Sequence, residues 1–74
     1  MGIVVHLDKI MAERRVSLQD LAAEVGITNA NLSKIKNNRI SAIRFSTLDA
    51  LCRILSCQPG DLLEYVESSE PKNS

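Results

Sequence analysis

The sequence predicts an all-α fold of five short helices, with room for a short β ribbon formed by the two chain ends. Three observations lead there. Apolar residues recur at helical spacing in several separate segments, most clearly between Leu18 and Asn37. Helix-start residues precede those segments at Ser17, Thr28, Ser46 and Gln58-Pro59. The sequence is 45% hydrophobic but has one Phe, one Tyr and no Trp, so its core is built from Leu, Ile, Val and Ala. Such side chains suit small packed helices.

Each element has its own justification. Gly2-Ile3-Val4-Val5 is a β-branched run that favours extended backbone. Helix one is predicted over Leu7 to Arg15, with Leu7, Ile10, Met11 and the stem of Arg14 on one face. Asp8 in its first turn and Arg14 and Arg15 in its last complement the helix dipole. Ser17 followed by Asp20 resembles a capping box and opens a second helix to about Val25, with Leu18, Leu21, Ala22 and Val25 inward. Gly26 then falls where the helix must stop in a left-handed turn.

Thr28 is a suitable N-cap for a third helix over residues 29–36, and Asn37-Asn38-Arg39 ends it because Asn tolerates left-handed backbone. Beyond a mostly polar and basic loop, Phe45 is expected to plug the core. Ser46 with Asp49 reads as a second capping box, opening a fourth helix with Leu48, Leu51, Cys52 and Leu55 at helical spacing. Pro59 at a first helical position starts a short fifth helix that contributes Leu62 and Leu63. Tyr65-Val66 can be extended. At 74 residues the chain is one domain, expected over residues 1–66, and residues 67–74 have the composition of a flexible tail.

Charge narrows the function. Nine basic and nine acidic residues cancel, but their distribution matters more than their sum. No acidic residue lies between Glu24 and Asp49, and that window holds Lys34, Lys36, Arg39 and Arg44, a local charge of +4. The window overlaps the second and third helices, whose crossing is set by Leu21 and Val25 against Leu32 and Ile35. The outward face of the third helix is then Asn29, Ala30, Ser33, Lys34 and Asn37, with Asn31 sideways. Such a face can enter a DNA major groove.

In that geometry Asn29 pairs with adenine, Lys34 donates to guanine, Ala30 touches a thymine methyl and Ser33 reads a donor or an acceptor. Phosphate contacts are expected at the edges: Ser17 and Gln19 at the start of the second helix, Thr28 at the third, and Asn37, Asn38, Arg39 and Arg44 beyond it.

Other chemistry is not supported by the sequence. His6 is the sole His and lies beside an apolar run. Cys52 and Cys57 form no CxxC pair and are expected to be reduced, packed thiols. The three Gly residues are scattered and make no phosphate loop. No catalysis, metal or cofactor is expected. No apolar run approaches the ~20 residues of a membrane span, and a cytoplasmic location is expected.

From Ser17 to Phe45, and more loosely to Leu63, the chain resembles the phage-repressor (Cro-like, XRE) helix-turn-helix family. The resemblance rests on LAAEVGIT, then NLSKIK, then RF, then a capped helix beginning STLDAL. It implies five small helices whose second and third bind double-stranded DNA, backbone contacts in the loop after the third, and a small transcriptional regulator. A small domain commonly doubles its groove contact by dimerising on a two-fold site. The expected dimer contact is at the chain ends: Ile3-Val4-Val5 pairing as a strand with Tyr65-Val66 of its own chain or with a second subunit, or an apolar patch of Leu63, Tyr65 and Val66. The alternative function is a protein-interaction module, such as an antitoxin with a protein partner, supported by the acidic segment Glu64 to Glu70.

Overall fold

A computed structural model of the chain describes residues 2–67. In chain order the elements are β1 (Ile3–Val5), α1 (Leu7–Arg14), α2 (Leu18–Val25), α3 (Asn29–Lys36), α4 (Phe45–Leu55), α5 (Pro59–Leu62) and β2 (Leu63–Tyr65). The five predicted helices are present. Most of the expected tail lies outside the described residues.

Local chemistry sets most helix boundaries. The Ser17 hydroxyl accepts a hydrogen bond from the Asp20 N–H at 3.1 Å, and Thr28 Oγ1 accepts from the Asn31 N–H at 3.0 Å, each satisfying an otherwise unpaired donor of a first turn. Before α5, the Gln58 N–H donates to Asp61 Oδ2 at 2.9 Å, and Pro59 takes the first helical position. Four helices end alike. Arg15, Gly26, Asn38 and Ser56 are left-handed, with φ of 57°, 88°, 61° and 52°. After each, the next N–H reaches back to a carbonyl five residues earlier: Val16 to Met11, Ile27 to Ala22, Arg39 to Lys34 and Cys57 to Cys52.

The core is one cluster in which Leu7, Leu21, Leu32, Leu51, Leu55 and Leu62 are the largest fully buried side chains. Every helix contributes at least one of these leucines, so no helix can be removed without opening the centre. α2 packs on both α3 and α4, which fixes how α3 is presented.

The chain ends meet. β1 and β2 pair antiparallel with Ile3 opposite Tyr65, Val4 opposite Glu64 and Val5 opposite Leu63. Of the two pairings open to Ile3-Val4-Val5, the one within the chain is formed. Val5 is buried on the core, which gives this two-stranded ribbon the support that an isolated one lacks.

Three expectations are corrected. Phe45 does not plug the core; it is 86% exposed. At 3.6 residues per turn it points roughly 120° away from Leu51, the buried centre of its helix. Ser46 and Asp49 do not form a capping box, because α4 starts earlier, with Arg44 in the N-cap position and no side-chain cap. Leu63 belongs to β2 and not to α5, since its backbone is already extended at φ −123° and ψ 138°.

Candidate nucleic-acid interface

α3 presents the expected face. Its inward residues Leu32 and Ile35 are buried, while Asn29, Ala30, Asn31 and Lys34 are exposed. Ser33 is half-buried, and its hydroxyl accepts a hydrogen bond from Asn37 Nδ2 at 3.2 Å. That bond uses the Ser33 hydroxyl as an acceptor, which leaves its O–H able to donate, and it orients the Asn37 amide along the helix.

Beside this face lies a concavity of about 410 Å³ between α3, the following loop and the first turn of α4. Lys34 and Arg44 supply its cations, Asn31 and Thr47 its polar groups, and Ile35 and Ile43 part of its apolar wall. The concavity brings together Lys34 and Arg44, ten residues apart in sequence. Asn31 therefore faces this side of α3. Thr47 was not among the residues picked out by sequence; its only signal is helical spacing from Arg44, one turn earlier.

The electrostatics agree with the acid-free window. Among the described residues, none of Lys34, Lys36, Arg39 and Arg44 is in an ion pair. Their charges are available to an external anion. Among the described residues, no carboxylate lines the concavity.

The edge residues are placed as follows. Ser17 and Thr28 are N-caps, with their hydroxyls engaged at Asp20 and Asn31, and Gln19 is exposed in the first turn of α2. Asp20 shares that turn and puts a carboxylate beside it. Arg39 and Arg44 are exposed at the two ends of the α3–α4 loop. Asn38 has another task. Its Oδ1 accepts from the Val5 N–H at 2.6 Å and its Nδ2 donates to the Val5 carbonyl at 3.1 Å, so its amide is committed to β1. This clamp ties the end of α3 to the ribbon.

His6 is paired with Glu64 at 2.5 Å on the surface, far in sequence from this face. Among the described residues, no group of three or more His, Cys, Asp or Glu side chains could hold a metal ion, and no helix is long and apolar enough to cross a membrane.

An exposed α3, an α2 packed across it and an unpaired basic rim are the geometry of a DNA-reading helix pair. Comparison with known proteins agrees. Residues 6–68 match the family described as the Cro/C1-type HTH DNA-binding domain. A similar protein is YozG of Bacillus subtilis (strain 168), described as an uncharacterized HTH-type transcriptional regulator. It is 52% identical over 65 residues, which cover 88% of this chain and 77% of the relative. With its two central helices, its caps and its basic rim in place, the chain belongs to the Cro/C1-type helix-turn-helix family of DNA-binding transcriptional regulators.

Proposed function

We propose that this protein is a sequence-specific repressor of the cytoplasm that places α3 in the major groove of double-stranded DNA and occludes a promoter. The observation that carries this reading is the exposed face of α3 beside a concavity that, among the described residues, holds two unpaired cations and no carboxylate. Asn29, Ala30, Ser33 and Lys34 read base edges; a good bidentate pair contributes about 1–3 kcal/mol of discrimination. Ser17, Gln19, Thr28, Asn37, Arg39 and Arg44 hold the phosphates on either side. Asn38 acts indirectly, by holding the α3 terminus against β1.

Two copies bound to a two-fold site would place their recognition helices about 34 Å apart, one turn of DNA. In vitro selection from random duplex DNA should then enrich an inverted repeat. Asn29→Ala or Lys34→Ala should relax the preference at one position of each half-site, while Arg44→Ala should weaken all sequences alike. A selection that enriches nothing, or three substitutions that leave binding unchanged, would refute the assignment.

A further inference from the structure

Cys52 and Cys57 stand five residues apart, a spacing that on a continuous α-helix would turn their side chains about 140° from each other. The end of α4 undoes that separation. Ser56 is left-handed at φ 52°, and the chain folds back so that the Cys57 N–H donates to the Cys52 carbonyl at 3.0 Å. Residues joined in this way at a helix end commonly pack their side chains together. Here the two thiols share a hydrogen bond. The backbone bond and the covalent dimensions hold the two Cα atoms within roughly 6.9 Å, and any bend in the bond brings them closer. A disulfide spans Cα separations of about 4.4–6.8 Å.

Both residues are free thiols, and both line a hollow of about 580 Å³ beside α4, together with Leu48 and Pro59. Their surroundings differ. Cys57 is buried in the core, whereas Cys52 is half-buried at the wall of the hollow. Burial pushes the Cys57 thiol up and keeps it protonated, and the thiolate is the reactive form of cysteine. Cys52 is therefore the sulfur that a small oxidant meets first.

We propose that Cys52 and Cys57 are a redox pair: a peroxide oxidises Cys52, and Cys57 then closes an intramolecular disulfide across the end of α4. In the first step the Cys52 thiolate attacks one oxygen of hydrogen peroxide. The O–O bond breaks, hydroxide leaves and takes up the proton that Cys52 lost, and the sulfur becomes a sulfenic acid. In the second step the Cys57 sulfur attacks Cys52 Sγ. The S–O bond breaks, the Cys57 proton goes to the departing oxygen, and water leaves. The thiols give up two hydrogen atoms in all, and the peroxide is reduced to two waters.

The position of the link gives it an effect. Three helices meet at this turn: α4 ends there, α5 begins at Pro59, and Arg14 of α1 donates from Nε to the Leu55 carbonyl at 2.7 Å. A covalent closure of residues 52–57 holds the turn and narrows the unfolded ensemble, so oxidation makes the folded chain more persistent. In a reducing compartment such a link is transient and reports oxidant. The proposal stands apart from the DNA reading, and its test needs no DNA.

The full chain, treated with a small excess of hydrogen peroxide at neutral pH, should become two hydrogen atoms lighter by intact-mass measurement, with no cross-link between chains. Its urea midpoint should rise, and dithiothreitol should return it. With dimedone present to trap sulfenic acid, Cys57→Ala should accumulate at least about tenfold more Cys52 adduct than the wild type. Cys52→Ala should keep Cys57 as a thiol. A comparison within the wild type needs no variant to fold: the share of Cys52 trapped by dimedone should be larger in urea than in the folded chain, where Cys57 is already in place. Sulfinic acid at Cys52 without a disulfide, a disulfide formed only between chains, a lowered urea midpoint, or equal trapping in folded and unfolded protein would overturn the proposal.

Discussion

Cys57 sits at the joint between α4 and α5, buried against Leu51, Leu55 and the rest of the core. Burial pushes its thiol above the ordinary value of 9.0, and the neighbouring Cys52 and Asp61 add to the effect. The folded chain therefore holds this proton more tightly than the unfolded chain does. The associated stability is complete below about pH 9 and is lost as pH rises through the folded-state value. Urea midpoints measured at pH 8 and pH 10 should fall on going up, and Cys57→Ala should show a smaller fall. With limiting iodoacetamide, half-buried Cys52 should be alkylated before Cys57. Phe45 teaches the opposite lesson at the same scale. As the only Phe in an aromatic-poor chain it looked like a core residue, yet the side chain's position on its helix, and not its hydrophobicity, decided its exposure.

At the level of elements, the helix ends were only partly legible. Gly26 and Asn37-Asn38 announced two of the four left-handed termini, because Gly and Asn tolerate that backbone. Arg15 and Ser56 gave no such signal. Arg14 explains part of the difference, since its guanidinium Nε donates to the Leu55 carbonyl at 2.7 Å and so caps the end of α4 from a helix 41 residues away. Asn38 combines both roles, as helix terminator and as clamp on β1. Asn38→Gly keeps the left-handed turn free of strain and removes only the amide. It should cost about 1–2 kcal/mol, the worth of two part-buried hydrogen bonds, in a urea titration. It should also speed amide exchange at Val5. An unchanged midpoint would mean that water replaces the amide at no loss.

For the molecule as a whole, a net charge of zero coexists with a basic face because the acids lie outside the window from Glu24 to Asp49. That window holds four cations per protomer: Lys34, Lys36, Arg39 and Arg44. With a slope of about −0.9 per neutralised phosphate, the plot of log K against log salt for one protomer on a half-site should be no steeper than roughly −3.6. Fluorescence anisotropy on a half-site duplex checks this, and Arg44→Ala should make the slope shallower by about 0.9. A much steeper slope would mean that cations outside the window meet the DNA. Nonspecific affinity should be correspondingly low.

The sequence by itself determined the five helices, the caps at Ser17 and Thr28, the turn at Gly26 and the outward face of α3, because each depends on residues within about one helical turn of one another. The family was legible for the same reason: the pair α2 and α3 is a continuous stretch whose crossing is written in its own apolar spacing. Only the tertiary structure decided that the chain ends pair within one chain, that Asn38 is spent on Val5 across 33 residues, that Arg14 caps α4 and that Phe45 faces water. Those features join residues far apart in sequence. They depend on how the helices pack around the six central leucines, and no local spacing records that.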